Sequence, residues 1–177
     1  EVGEAFAQAS AYGHERRFPL RPPPGYLTAA VLAWVLAAAG LLVGPLLLAA
    51  GQWAVGAPVT LLVGVAVFAW PRWYQLGRRW LVLVPAGVVI HDHLVLAETV
   101  MLRRIDLAGV ALAAVGTEAA DLTGPAPGHA LEIRTGESVT AILRGTPSDP
   151  RGTAIHLRAC LVAPTRPGHA LRALQPG

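Results

Sequence analysis

The tripeptide His91-Asp92-His93 is the densest group of side chains in this chain that could do chemistry. On a β-strand, residues two apart point to the same face, so both imidazoles could approach one metal ion. Zinc takes three protein ligands in catalytic sites and four in structural ones, so another ligand would have to come from elsewhere. The sequence offers Glu98, His129 and His156 without favouring any of them. A metal site and a pair of histidines at a strand end both remain open, and we expect the second.

Nucleophilic catalysis would need a nucleophile, a base and an orienting group, which Cys160, His156 and Asp149 could supply. His156 and Cys160 would share one face of a strand but lie roughly 13 Å apart, too far for proton transfer. The chain also has no Gly-x-Ser-x-Gly elbow and no glycine-rich phosphate loop. We therefore expect no catalytic residue, no cofactor and no enzymatic activity. Cys160, the single cysteine, is expected to be a buried apolar side chain.

Charged residues are absent from a long stretch near the N-terminus. Between Arg21 and Arg72 there is no Asp, Glu, Lys, Arg or His, and the whole chain is only 14% charged, against roughly one-quarter in soluble domains. At 1.5 Å per residue, the apolar run 26–50 exceeds the roughly 30 Å of a bilayer core, and the run 54–70 is at the short end. We predict a transmembrane helical hairpin over residues 25–71, with a tight turn at Gly51-Gln52-Trp53.

A soluble alternative fails because a chain of 177 residues could not enclose two helices that are apolar on every face. Small residues let membrane helices approach closely, so Gly40, Gly44, Gly56 and Gly64 are the predicted helix-packing positions. The same small residues could instead dock the hairpin onto a larger membrane partner. The helices hold no ionisable residue, which argues against an ion path through this chain alone.

Arginines flank both ends of the predicted hairpin, and the turn carries none. The positive-inside rule then places the protein in the inner (plasma) membrane with both termini cytoplasmic. Residues 1–24 are expected to be a flexible tail, and residues 72–79 a basic juxtamembrane linker. The high isoelectric point comes entirely from arginine, without any lysine, and we do not expect a nucleic-acid partner.

Beyond residue 80 the pattern changes to short β-branched runs separated by turn residues, which indicates an antiparallel β domain over 80–177. Thr135-Gly136-Glu137-Ser138 is expected to be a hairpin turn, and residues 167–174 a short terminal helix. The predicted fold is therefore a membrane α-helical hairpin followed by a mainly β domain with a C-terminal helix.

The segments RRWLVLVPAGVVIHD and VMLRRIDLAGVAL, with the terminal helix, resemble the bacterial pleckstrin-homology-like domains that follow paired membrane helices in actinobacterial proteins. The resemblance covers roughly residues 78–175. It implies a seven-stranded, strongly bent β-sandwich closed by one helix, which serves as a binding or assembly platform. The strand-like TAIHLRACLVA and the long connection AVGTEAADLTGPAPG depart from that pattern. No binding residue is carried over from these domains.

Basic and aromatic residues beside the predicted membrane could contact anionic phospholipid at about 1 kcal/mol per arginine, or a partner protein. These candidates are Arg72, Trp73, Arg78, Arg79, Arg103 and Arg104. The first three arginines could equally do no more than set the topology. We expect a non-enzymatic accessory or scaffolding subunit of a larger membrane complex, which binds other membrane subunits through the hairpin and the β domain. The alternative is a membrane-anchored domain that senses lipid headgroups.

Overall fold

A computed structural model describes residues 5, 8–9, 13–145, 150 and 152–175. The chain divides into two compact units. One contains the two long helices, Pro24–Leu76, and the other combines Glu1–Pro23 with Gly77–Gly177. The helical unit is therefore inserted in the sequence of the β unit, where the prediction placed the β domain after it.

The helical unit is a pair of long apolar helices, α1 (Pro24–Ala49) and α2 (Trp53–Leu76). Segments Pro24–Ala49 and Trp53–Pro71 are long and apolar enough to cross a membrane. Between them Gly51 has φ +76°, which glycine adopts without strain, and its N–H donates to the Leu48 carbonyl at 3.0 Å. The predicted turn lies at this position, and α2 runs further than the predicted end at residue 71.

The first sheet of the β unit is an antiparallel meander with the strand order β1-β2-β3-β4. Its strands are β1 (Arg16–Pro19), β2 (Trp80–Val84), β3 (Gly87–His91) and β4 (Val100–Arg103). Strand β1 lies within the predicted tail 1–24, so the structure differs from the prediction there. The physical reason is that Phe18 and Leu20 are buried in the core, and this burial favours an ordered strand. Residues 1–4, 6–7 and 10–12 lie outside the described residues.

The second sheet has the strand order β5-β7-β8-β6, in which the edge strand β6 runs parallel to β8. Its strands are β5 (Leu107–Leu112), β6 (Ala120–Asp121), β7 (Leu131–Leu143) and β8 (Thr153–Val162). The hairpin turn predicted at Thr135–Ser138 is wrong, because these residues lie inside β7 and both halves of β7 pair with β8. The register shifts between Arg134 and Val139, so the four residues form a bulge in one long strand.

A short helix, α3 (Pro167–Leu174), ends the described chain. Buried side chains from both sheets and from α3 form one hydrophobic cluster, which includes Leu81, Ile90, Leu131 and Ala170. The ring of Phe18 in β1 meets the edge of His169 in α3, with centroids 5.6 Å apart. Two long apolar helices, two sheets and a short C-terminal helix confirm the coarse fold that was predicted.

Candidate interaction sites

A buried arginine holds together three segments of the β unit. Arg79 is 1% exposed, and its Nε and Nη2 donate to the two carboxylate oxygens of Asp92 at 2.8 and 2.6 Å. Its Nη1 donates to the Arg21 carbonyl at 2.6 Å, and Nη2 also donates to the Thr123 carbonyl at 3.1 Å. We call this group of Arg21, Arg79, Asp92 and Thr123 the arginine clamp. The prediction that Arg79 contacts lipid or a partner is wrong, because its side chain is enclosed within its own unit.

The arginine clamp lies where the chain leaves the β unit and returns to it. Pro19 pairs with Trp80 in the first sheet, and the Leu20 N–H donates to the Arg79 carbonyl at 3.0 Å. Arg21 is held further by its N–H, which donates to the Ala163 carbonyl at 2.8 Å. Both connections to the helical unit therefore start from neighbouring strands, and a bidentate ion pair fixes this position.

A recess lies on the outer face of the first sheet. Because side chains alternate along a strand, Leu81 and Ile90 point into the core, whereas Trp80 and His91 point outward. Trp80 and His91 are also direct neighbours across the β2–β3 pair. The recess holds about 330 Å³. We call it the basic recess, and it is lined by Glu15, Arg17, Arg78, Trp80, Val82, Val84, Val89 and His91.

In the described part of the chain, the lining of the basic recess contains two guanidinium groups and one carboxylate. The carboxylate, Glu15, is itself paired with Arg17 at 3.0 Å. His91 Nδ1 lies 2.9 Å from the Thr99 hydroxyl. Burial, and then the nearby charges of His93 and Arg78, lower the pKa of His91 below its ordinary value of 6.5. The imidazole is therefore neutral at neutral pH and lies in a positive local field.

Of the residues considered for a metal site, the structure brings His91 and His93 together. The rings of His91 and His93 meet edge to face, with centroids 4.3 Å apart. Asp92, between them in sequence, is committed to the arginine clamp. Within the described part of the chain, no three His, Cys, Asp or Glu side chains come together in a metal-binding group. The possible third ligands Glu98, His129 and His156 are thus not assembled with the histidine pair.

Cys160 and His156 do not form a catalytic pair. Cys160 is fully buried in β8, and burial raises the pKa of its thiol to about 12, so it is not a nucleophile at neutral pH. His156 is exposed, and its Nδ1 lies 3.0 Å from the Thr140 hydroxyl. The shared face expected for the two residues is not found, because the register of β7 and β8 shifts between Leu157 and Ala159. Asp149 lies outside the described residues.

The other predicted contact residues are spread over the molecule. Arg103 is exposed and donates to Asp106 at 2.6 Å, a hydrogen bond that raises the pKa of the guanidinium. Arg104 is exposed and lines a small cavity of about 210 Å³ beside Leu174. Arg78 lines the basic recess. Arg72 lies in α2, with its side chain outside the described part of the structure.

Three of the four predicted helix-packing glycines lie where α1 and α2 touch. A Cβ on Gly40 would lie 2.8 Å from the Val59 carbonyl oxygen, and one on Gly56 would lie 2.9 Å from the Leu48 nitrogen. A Cβ on Gly44 would lie 2.9 Å from the backbone of Thr60. Gly64 differs from the prediction, since a Cβ there would meet no atom within 4 Å. The small residues therefore set the helix spacing along only part of the hairpin.

A groove opens between α1 and α2 where glycines do not hold them in contact. The rings of Trp34 and Trp70 meet edge to face, with centroids 5.9 Å apart. The ring centroid of Trp73 lies 6.2 Å from that of Trp34. The groove holds about 540 Å³. We call it the tryptophan groove, and it is lined by Trp34, Ala37, Ala38, Leu41, Val63, Ala66, Val67, Trp70, Pro71 and Trp73.

Sequence reasoning missed both concave surfaces, although signals for them exist. The alternation in WLVLV and GVVIH places Trp80 and His91 on one outward face once the two strands are paired. No local pattern reveals that Arg17 joins them, because β1 meets β2 only after the helical unit intervenes. Comparisons with protein families, with curated proteins and with solved structures give no match for this chain.

Proposed function

We propose that the protein is a non-enzymatic integral membrane protein that serves as an accessory or scaffolding subunit of a larger membrane complex. Its helical unit is the transmembrane hairpin, and its β unit is a cytoplasmic platform of the pleckstrin-homology-like type. It binds its partner subunits through both units.

The tryptophan groove is the observation that carries this proposal. All of its lining residues whose side chains the structure describes are apolar, so the groove suits an apolar occupant within the membrane. Ala37, Ala38 and Ala66 in its lining have small side chains, which allows the backbone of another helix to approach closely. The occupant that fits is a transmembrane helix of a partner subunit, whose ridge of side chains would fill the groove between the aromatic rings.

The strand arrangement supports the proposed type of β unit. Two four-stranded sheets share one hydrophobic core with α3, and the resemblance to pleckstrin-homology-like domains implies a bent β-sandwich closed by one helix. The two-residue strand β6 and the insertion of the helices between β1 and β2 are features that the resemblance does not imply.

A groove-filling variant tests the proposed docking. Ala38→Phe fills the tryptophan groove, and Ala57→Phe adds the same side chain at an exposed position of α2 outside it. Each variant is purified from its native membrane in mild detergent, and the co-purifying proteins are quantified by mass spectrometry. We expect Ala38→Phe to lose membrane proteins that the wild type and Ala57→Phe retain. An unchanged set of proteins in Ala38→Phe would contradict docking in the groove.

The basic recess favours a second function, a membrane-anchored domain that senses lipid headgroups. Two arginines and a tryptophan around a concave surface are suited to anionic phosphate at a membrane interface. The two functions are compatible in one molecule, because they use different units.

A further inference from the structure

We propose that the basic recess binds the phosphate of an anionic phospholipid headgroup, with Arg17 and Arg78 as its cationic ligands and Trp80 and His91 as its walls. The inference rests on the proposed membrane anchorage and gives the β unit a specific lipid site. It adds Arg17, Trp80 and His91 to the residues that the sequence suggested for lipid contact.

The charge of the recess selects an anion. Among the described residues of the lining, Arg17 and Arg78 contribute two positive charges and Glu15 one negative charge, so their formal balance is +1 (2 − 1). Guanidinium groups bind phosphate oxygens through charge-assisted hydrogen bonds, often in pairs. The neutral imidazole of His91 can add a further hydrogen bond, since it carries one donor and one acceptor.

The apolar part of the recess matches the rest of a lipid headgroup region. Val82, Val84 and Val89 form adjacent positions on the outer face of the sheet. Trp80 adds an indole, a side chain that is enriched at the boundary between hydrocarbon and water. A free inorganic phosphate would make no use of these groups, whereas glycerol and the first acyl carbons of a lipid would pack against them.

The position of the recess along the chain places it near lipid. Arg78 follows the end of α2 at Leu76 by two residues, so the chain between them can span at most about 7 Å. The apolar span within α2 ends at Pro71, and the five helical residues from there to Leu76 add about 7.5 Å. If α2 crosses the membrane, Arg78 therefore lies within about 15 Å of the end of the apolar span. The lipid source is favoured over a soluble phosphate compound for this reason.

The imidazole of His91 reports on occupancy of the recess. Its pKa is lowered by burial and by the charges of His93, Arg78 and Arg17, while Asp92 opposes them. A phosphate between Arg17, Arg78 and His91 would cancel the positive field and raise this pKa. Histidine-selective NMR of the full chain in lipid nanodiscs measures the change directly.

The experiment compares nanodiscs of phosphatidylcholine alone with nanodiscs containing increasing proportions of phosphatidylglycerol. A third arm adds inorganic phosphate to the phosphatidylcholine nanodiscs. We expect the His91 pKa to rise with phosphatidylglycerol and to stay unchanged with inorganic phosphate. Arg17→Gln and Arg78→Gln should each need about fivefold more phosphatidylglycerol for the same rise, since a surface arginine contributes about that factor. Arg172→Gln, an exposed arginine on α3 outside the recess, is the matched control and should behave as the wild type.

Several outcomes would overturn the proposal, and they can be told apart. An equal rise in Arg17→Gln, Arg78→Gln and the wild type would show a diffuse surface potential instead of a site. An equal rise with inorganic phosphate would assign the recess to a soluble phosphate. A chain that does not enter nanodiscs would contradict the proposed membrane anchorage, whereas a chain that enters them without any change at His91 would contradict the recess alone.

Discussion

At the residue scale, Arg79 and Asp92 form the most deeply buried of the described ion pairs. Both side chains are almost completely buried, so removing one partner leaves the other charge without compensation. We predict that Arg79→Gln lowers the free energy of unfolding by about 3–5 kcal/mol. The carbonyls of Arg21 and Thr123 lose a donor at the same time. Chemical unfolding of the full chain in detergent micelles, followed by circular dichroism, measures the loss.

The exposed pair of Arg103 and Asp106 supplies the matched control. It joins the same two residue types at the same distance of 2.6 Å, but the side chain of Arg103 is 64% exposed. Water and salt weaken such a pair, so Arg103→Gln should leave the unfolding curve almost unchanged. Equal destabilisation by the two substitutions would show that burial is not what makes Arg79 important.

A second prediction at this scale concerns pH. Burial and then His93 and Arg78 lower the pKa of His91 below 6.5, so the unfolded chain binds a proton at this residue more readily than the folded one. The free energy of unfolding that depends on neutral His91 is therefore fully present above pH 6.5, and it decreases as the pH falls from 6.5 to the folded-state pKa. We predict that His91→Gln flattens this part of the stability profile. Unfolding of both proteins in detergent across this window tests it, and identical profiles would contradict it.

At the element scale, the packing of α1 against α2 depends on where each glycine lies. Gly44→Ala places a methyl group against the backbone of Thr60, so the helices must separate or shift. We predict a loss of about 1–3 kcal/mol, which is typical of overpacked cores. Gly64→Ala makes the same change where a Cβ meets nothing within 4 Å, and it should be neutral or slightly stabilising because alanine favours helices. Thermal unfolding of both variants in micelles compares them, and equal losses would contradict a close contact at Gly44.

The elements also show what sequence patterns can predict. Helices α1 and α2 were predictable because continuous apolar runs of this length have few other solutions. The strands of the β unit showed β-branched runs, but the bulge in β7 was predicted as a turn. Thr135-Gly136-Glu137-Ser138 contains residues typical of turns, and only the pairing of both flanks with β8 shows that the strand continues. Pairing of this kind is set by distant residues, which local patterns do not contain.

The candidate sites were less predictable than the elements. Small residues within an apolar run have a physical meaning on their own, so composition and spacing led to the glycines at 40, 44 and 56, which lie at the helix contact. Charge beside such a run led to Arg78, which lines the basic recess and whose contact with lipid or a partner stays a prediction. Arg79 was assigned to the surface, since nothing in the sequence links it to Asp92. The tryptophan groove depends on which faces of two helices meet, and this is decided by tertiary packing.

At the scale of the whole molecule, the main departure from prediction is that the helical unit interrupts the β unit. Strand β1 is only four residues long and pairs with β2 across the entire insertion. A strand this short has no recognisable pattern of its own, and its stability comes from Phe18 and Leu20 in a core built by later residues. The arginine clamp lies at this junction, where it joins Arg21 before the insertion to Arg79 after it.

This arrangement leads to a prediction about membrane topology. Because Pro19 and Trp80 are paired, the two ends of the helical unit must lie on one side of any membrane that it crosses. From the flanking arginines we predict that this side is the cytoplasmic one. We predict that a membrane-impermeant maleimide labels Gln52→Cys, in the turn, in intact cells. Glu118→Cys, exposed on the β unit, should be labelled only after the cells are opened. Cys160 gives no background, since it is buried and its pKa is raised to about 12. Labelling of Glu118→Cys in intact cells, or protection of Gln52→Cys, would contradict this topology.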